Sequence, residues 1–182
     1  AVALTTNDAS GTDADVTIDG GTTALILAAS TIDGDLTLLD GNASGITDSG
    51  TLTVGGNLDA TTNDNAGVIE LNDLAVDGTI GVVTDGLGNA TIVNDENVNF
   101  AASTVGGDLD ATATTGNISQ SGSITVALTT TLETIADDAT ITLLDPSNSF
   151  TGAITVATSG TEGDVSIDGG SVTGLDIAAS TV

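Results

Sequence analysis

"GTDADVTIDGGTTALILAASTI", residues 11–32, has a near-copy at the other end of the chain, "GTEGDVSIDGGSVTGLDIAASTV", residues 160–182. Apolar and polar residues alternate in both. In "DVTID", Val16 and Ile18 fall on one side of an extended chain, and Asp15, Thr17 and Asp19 on the other. Period two with β-branched residues is the mark of a half-buried strand. The pattern recurs in "GDLTL" (34–38), "TLTV" (51–54), "GDLDATA" (107–113), "SITV" (123–126), "TITL" (140–143) and "DVSID" (164–168). Gly-Gly, Asp-Gly, Ser-Gly and Asn-rich turns separate these segments. Val16, Ile18, Leu36, Leu109, Val165 and Ile167 are therefore expected to point inward.

The two copies belong to a longer repeat. "AAST" occurs at 28–31, 101–104 and 178–181, at spacings of 73 and 77 residues. "ITDSGTLTV" (46–54) matches "ISQSGSITV" (118–126), "VIELND" (68–73) matches "ITLLDP" (141–146), and "GTIGVVT" (78–84) matches "GAITVAT" (152–158). Taken from "AAST", the expected organisation is one continuous array. A partial repeat covers 1–27, full repeats cover 28–100 and 101–177, and a further one begins at 178–182. The chain starts and stops inside the pattern, so residues near 1–10 are expected to meet residues near 172–182 of a neighbouring copy or continuation.

Composition restricts the fold and function further. There are 22 Asp and 4 Glu and no Lys, Arg or His, for a net charge of −26. There are 33 Thr and 24 Gly, but only two Phe and no Trp, Tyr, Met or Cys. Long amphipathic helices are not expected. A disordered acidic chain would lack the Val, Ile and Leu found here. No run approaches the roughly 18 apolar residues of a membrane helix, and no signal peptide is visible. Short strands at this spacing suit either a β-sandwich or a β-solenoid. A sandwich core is filled by large side chains, whereas a narrow solenoid core stacks Ala, Val, Ile and Leu. The expectation is all-β: a parallel β-helix with three to four coils of about 19–25 residues per 73–77-residue repeat.

"AASTVGGDLDATATTGNISQSGSITVA" (101–127) resembles the repeats of filamentous-haemagglutinin-like proteins and other giant β-strand-repeat bacterial surface proteins. That resemblance implies a right-handed parallel β-helix exported to the cell surface, with a role in adhesion or in building extracellular filaments.

Catalytic chemistry is nearly absent. Nucleophile activation and general base catalysis usually recruit His, Cys or Lys, and none exists. Nucleic acid is excluded as a partner because every side-chain charge repels phosphate. The chain is read as a non-enzyme that requires no cofactor. The alternative is a carbohydrate-binding or carbohydrate-active module using an Asp pair, Asp108/Asp110 or Asp137/Asp138. The best chemical candidate is calcium or another divalent cation, for which Asp, Asn and backbone carbonyls are suitable hard ligands. Candidate ligands are Asp13, Asp15, Asp19, Asp33, Asp35, Asp40, Asp64, Asp95, Asp108 and Asp110. Sequons stand at Asn42, Asn89 and Asn117, and Thr-x-Thr pairs such as Thr51/Thr53 and Thr140/Thr142 suggest outward hydroxyl rows. The expected role is structural: an extracellular segment of a surface filament, sheath or adhesin, assembling end to end and possessing possible lateral contacts with copies of itself.

Overall fold

The computed structural model describes residues 1–7, 14–63, 66–171 and 174–182. Among these there are twenty strands and no helix. All the strand pairings are parallel, and they build two sheets around one apolar core. The first sheet runs through β1 (Val16–Asp19), β4 (Leu36–Asp40), β7 (Leu58–Thr62), β9 (Ile80–Val83), β11 (Val98–Phe100), β14 (Ile118–Gln120), β17 (Ile141–Leu143) and β20 (Val165–Ile167). Beside its second half lie β12 (Ser103–Val105), β15 (Ile124–Val126) and β18 (Ser149–Phe150). The second sheet runs through β2 (Leu25–Leu27), β5 (Ile46–Asp48), β8 (Ile69–Val76), β10 (Ala90–Asn94), β13 (Leu109–Ala113), β16 (Thr130–Asp137) and β19 (Ile154–Ser159). Beside its first half lie β3 (Ser30–Ile32) and β6 (Leu52–Val54).

The chain crosses from one sheet to the other at every half-coil, which makes it a parallel β-solenoid. From β1 to β20 the first sheet rises seven coils. One coil takes from 19 residues, as between paired Ala90 and Leu109, to 24, as between Ile141 and Val165. In the first half of the chain the first sheet supplies one strand per coil and the second sheet two short ones. In the second half these roles are exchanged. The exchange occurs at β8, which pairs with β5, β6 and β10, and at β9, which pairs with β7, β11 and β12.

This exchange explains how the sequence repeat maps onto the coil. The strands β2 and β3 recur 73 residues later as β11 and β12, yet in the opposite sheet. From β1 to β9 there are seven half-coils, and from β10 to β19 seven more. Each repeat therefore ends half a turn out of phase with its start, and matching residues of consecutive repeats lie on opposite sides. The two opening segments, β1 and β20, share a face because two repeats restore the phase.

Inward positions are stacked Leu, Ile, Val and Ala, including Leu36 and Leu109, both 1% exposed. Val16, Ile18, Val165 and Ile167 are partly buried and pack against that core. Each fully buried aliphatic side chain contributes about 1.5–3 kcal/mol, so the stack carries most of the stability. The corners are tight. Gly45, at φ +67°, leaves no space for a Cβ beside the Val68 carbonyl.

Candidate functional site

The residue just before a strand is often Asp or Asn, and its side chain reaches to the next coil. Asp35 N–H donates to Asp15 Oδ1 at 2.9 Å. Asn57 donates its N–H (2.6 Å) and Nδ2–H (3.1 Å) to Asp35 Oδ1. Thr79 donates its N–H and hydroxyl to Asn57 Oδ1, each at 2.9 Å. This ladder climbs the corner leading into the first sheet. A matching ladder enters the second sheet: Asp108 N–H donates to Asn89 Oδ1 (2.8 Å), then Thr129 N–H (2.9 Å) and hydroxyl (2.6 Å) donate to Asp108 Oδ1. A third joins Asn97, Asn117 and Thr140: Asn117 N–H donates to Asn97 Oδ1 (2.9 Å), and Thr140 N–H (2.7 Å) to Asn117 Oδ1. Each oxygen satisfies a corner N–H that the strand ladder does not reach.

The candidate cation ligands are thus dispersed. Asp15, Asp35 and Asp108 are ladder members. Asp19 caps its own turn, accepting from Gly21 N–H at 2.8 Å. Asp95 accepts from the Thr114 hydroxyl at 2.9 Å. Asp40 ends β4 pointing inward, 1% exposed, and accepts from Asn42 N–H at 3.3 Å. Asp33 lies at an exposed corner, where its N–H donates to Thr6 Oγ1. Asp110 points outward from the middle of β13. Asp13 and Asp64 lie outside the described residues. Among the described residues no three carboxylates converge as metal ligands would.

The carboxyls differ in acidity. The Thr129 hydroxyl and then its N–H hold Asp108 below the ordinary range, despite slight burial. Asp138 is likewise held down by the N–H groups of Thr161 and Glu162. Partial burial raises Asp110. Burial, and then the nearby Asp35 carboxylate, raise Asp59. In the proposed Asp108/Asp110 and Asp137/Asp138 pairs, one partner is already engaged with the backbone or hydroxyl of the following coil.

The "AAST" copies are joints of one design. The hydroxyls of Ser30, Ser103 and Ser180 donate to the carbonyls of Ala28, Ala101 and Ala178, at 2.8, 3.0 and 2.9 Å. Each accepts an N–H from the coil before it: Leu4 (3.1 Å), Val82 (3.2 Å) and Val156 (3.1 Å). There a two-strand half-coil stacks on the single strand that ends the previous repeat, so Ser takes the N–H that the bend leaves unpaired.

Sequence reasoning missed several buried polar plugs. Asn94 is fully buried at the register shift between β8 and β10; it accepts from Val76 N–H (2.9 Å) and donates to the carbonyls of Val76 (3.1 Å) and Asn97 (2.7 Å). Asn148 and Gln120 pair amide to amide, both bonds 2.9 Å, and Asn148 Oδ1 also accepts from Ile124 N–H. Inward Thr62, Thr84, Thr134 and Thr158 end their strands and donate to carbonyls of the following turn. The available signal was a polar residue in the inward phase of a strand, directly before a turn.

The fold and its corners define the class as a parallel β-solenoid built from internal repeats. The chain belongs to the family described as repeats of unknown function (DUF5649), which matches twice, at residues 13–86 and 87–157. That frame cuts the repeat before β1 and β10 rather than at "AAST". No curated protein and no solved structure matches the chain.

Proposed function

We propose that this chain is an extracellular structural segment, a stretch of rod from a surface filament, sheath or giant adhesin whose repeats or copies join end to end. The observation that supports it best is the uninterrupted parallel stack from β1 to β20, in which no coil departs from the 19–24-residue plan to build a pocket. The resemblance of residues 101–127 to bacterial surface repeats points the same way. A chain without Lys or Arg offers no site to trypsin-type proteases, which suits exposure outside a cell. Negative-stain imaging of the chain with its natural flanking sequence tests the reading. Long uniform fibres are expected, and compact monodisperse particles would overturn it.

Cations enter this reading as a diffuse atmosphere. A solenoid of this height is on the order of 40 Å long, and its 26 acids give an axial charge density near that of duplex DNA, about one per 1.7 Å. Self-repulsion on that scale opposes the compact state. Melting in chelator at minimal salt, then in millimolar calcium, is expected to show a higher midpoint with calcium. Equal midpoints would remove cations from the account.

A further inference from the structure

In a chain with 26 acids, one broad face has strands that carry none. The strands β9, β11, β12, β14, β15, β17, β18 and β20 contain no Asp or Glu. The rest of the surface contrasts with it. In the second sheet β5, β8, β13 and β16 present Asp48, Glu70, Asp73, Asp110, Glu133 and Asp137, and the first sheet's β1 and β7 carry Asp19 and Asp59. The uncharged face bears two hydroxyl and amide rows at coil spacing. Asn99, Ser119, Thr142 and Ser166 form one, in paired register. Thr104, Thr125 and Ser149 form the other. These side chains make no hydrogen bond to any described residue, whereas the corner hydroxyls of Thr79, Thr114, Thr129 and Thr140 are all engaged. Leu144, 56% exposed, stands in the link between β17 and β18. The single carboxylate of that link, Asp145, is half-buried and accepts from Ser147 N–H.

We propose that this face is a lateral contact between rods, and that its occupant is the same face of a second copy of this chain. The argument is electrostatic first. Two chains of charge −26 repel, and they can approach closely only where neither presents charge. It is chemical second. A hydroxyl both donates and accepts, so rows of Ser and Thr complement themselves across a two-fold axis, as an isologous contact requires. The face measures roughly 25 Å by 20 Å at strand and coil spacings, so a pair buries on the order of 1,000 Å², the low end for a specific interface. Weak, reversible association is expected, strengthened when salt screens the flanking acids. This deepens the reading of the chain as an assembling rod and can fail independently of it.

The test adds charge and measures mass. Sedimentation of the chain in about 0.5 M salt should show its mass rising with concentration toward a dimer of doubled width and unchanged length. Ser119→Asp/Thr125→Asp should stay monomeric, while Thr131→Asp on the second sheet should behave as wild type, all three melting alike. Because the chain has no Cys, Thr125→Cys should form a disulfide-linked dimer under mild oxidation and Thr131→Cys should not. A wild-type chain monomeric at millimolar concentration overturns the proposal, as does association that Ser119→Asp/Thr125→Asp leaves intact. Association of the latter kind with doubled length would leave end-to-end joining standing.

Discussion

The two repeats follow one strand plan and fill it differently. Where the first copy places Leu27 and Leu38 inward, the second places Phe100 and Ala111. Where the first has Leu58 and Ala60, the second has Thr130 and Leu132. Large and small residues have traded places between neighbouring positions, as a close-packed core requires when total volume is held. A second contrast is polar. The first copy's β8 is one continuous strand with Leu74 inward; its counterpart is broken into β17 and β18, and the matching inward residue is Asn148, held by Gln120. What is kept between the copies is the backbone plan and the satisfaction of each bend; the chemistry doing either is exchangeable.

The polar contrast predicts the largest effect. Asn148→Ala leaves the Gln120 amide, the Ile124 N–H and the Asp168 carbonyl without partners, at about 3 kcal/mol for stranding buried polar groups. Leu74→Ala in the first copy should cost a similar amount through a cavity alone. Hydrogen exchange separates the two. The first should expose amides over 118–126 and 141–150, the second only around β8. Uniform exposure in both would mean that the copies unfold as one unit.

The volume exchange comes next. β11 and β13 are in contact. Ala111→Leu alone overpacks, costing about 2 kcal/mol, and Phe100→Leu alone leaves a void costing about 1 kcal/mol. The double variant restores the first copy's pair and should cost less than either the sum or the worse single. Additive costs by urea titration would show that the positions do not compensate each other.

Two smaller changes should stabilise. Ala66 and Asp138 occupy matching turns at φ 66° and 63°. Asp138 is held there by its hydrogen bonds to Thr161 and Glu162, and Ala66 has no such side chain. Ala66→Gly should gain about 1 kcal/mol from relieved left-handed strain, less the added freedom of the unfolded chain. Thr130 has a buried hydroxyl with no hydrogen-bond partner among the described residues, where the first copy has Leu58. Thr130→Val should gain about 1 kcal/mol. A lower melting temperature in either would contradict the assignment.

The smallest effect is acid-dependent. The folded state lowers the acidity constant of Asp108 below 3.8, so its hydrogen bonds stabilise the fold above that value and the contribution is lost as pH falls through the folded one. Asp110 is raised above 3.8, so its buried charge destabilises at neutral pH and the penalty vanishes in acid. Asp108→Asn should therefore lower the neutral melting midpoint slightly and Asp110→Asn raise it, with both converging on wild type near pH 2.5. Shifts of the same sign at neutral pH would refute the contrast.

The strands were legible because alternation in "DVTID" or "GDLDATA" leaves no other reading, and the scarcity of aromatics separated solenoid from sandwich. The half-turn was not legible. A repeat of similar phrases says how often the chain recurs, and nothing about how many coils it takes to do so. The acids were misread for a related reason. Asp15, Asp35, Asn57 and Thr79 stand at coil spacing, and Asn and Thr replace Asp along that row. A cation site depends on the charge; a corner N–H needs only an oxygen. That substitution was visible in the sequence and pointed to the ladder.

Seven half-coils per repeat make the solenoid sensitive to parity. Gaining or losing a single repeat by recombination would turn every downstream feature to the far side of the rod, while a change of two would leave it in place. Copy number in such an array therefore sets orientation as well as length, and arrays that must keep a distal element facing one way are expected to vary in steps of two.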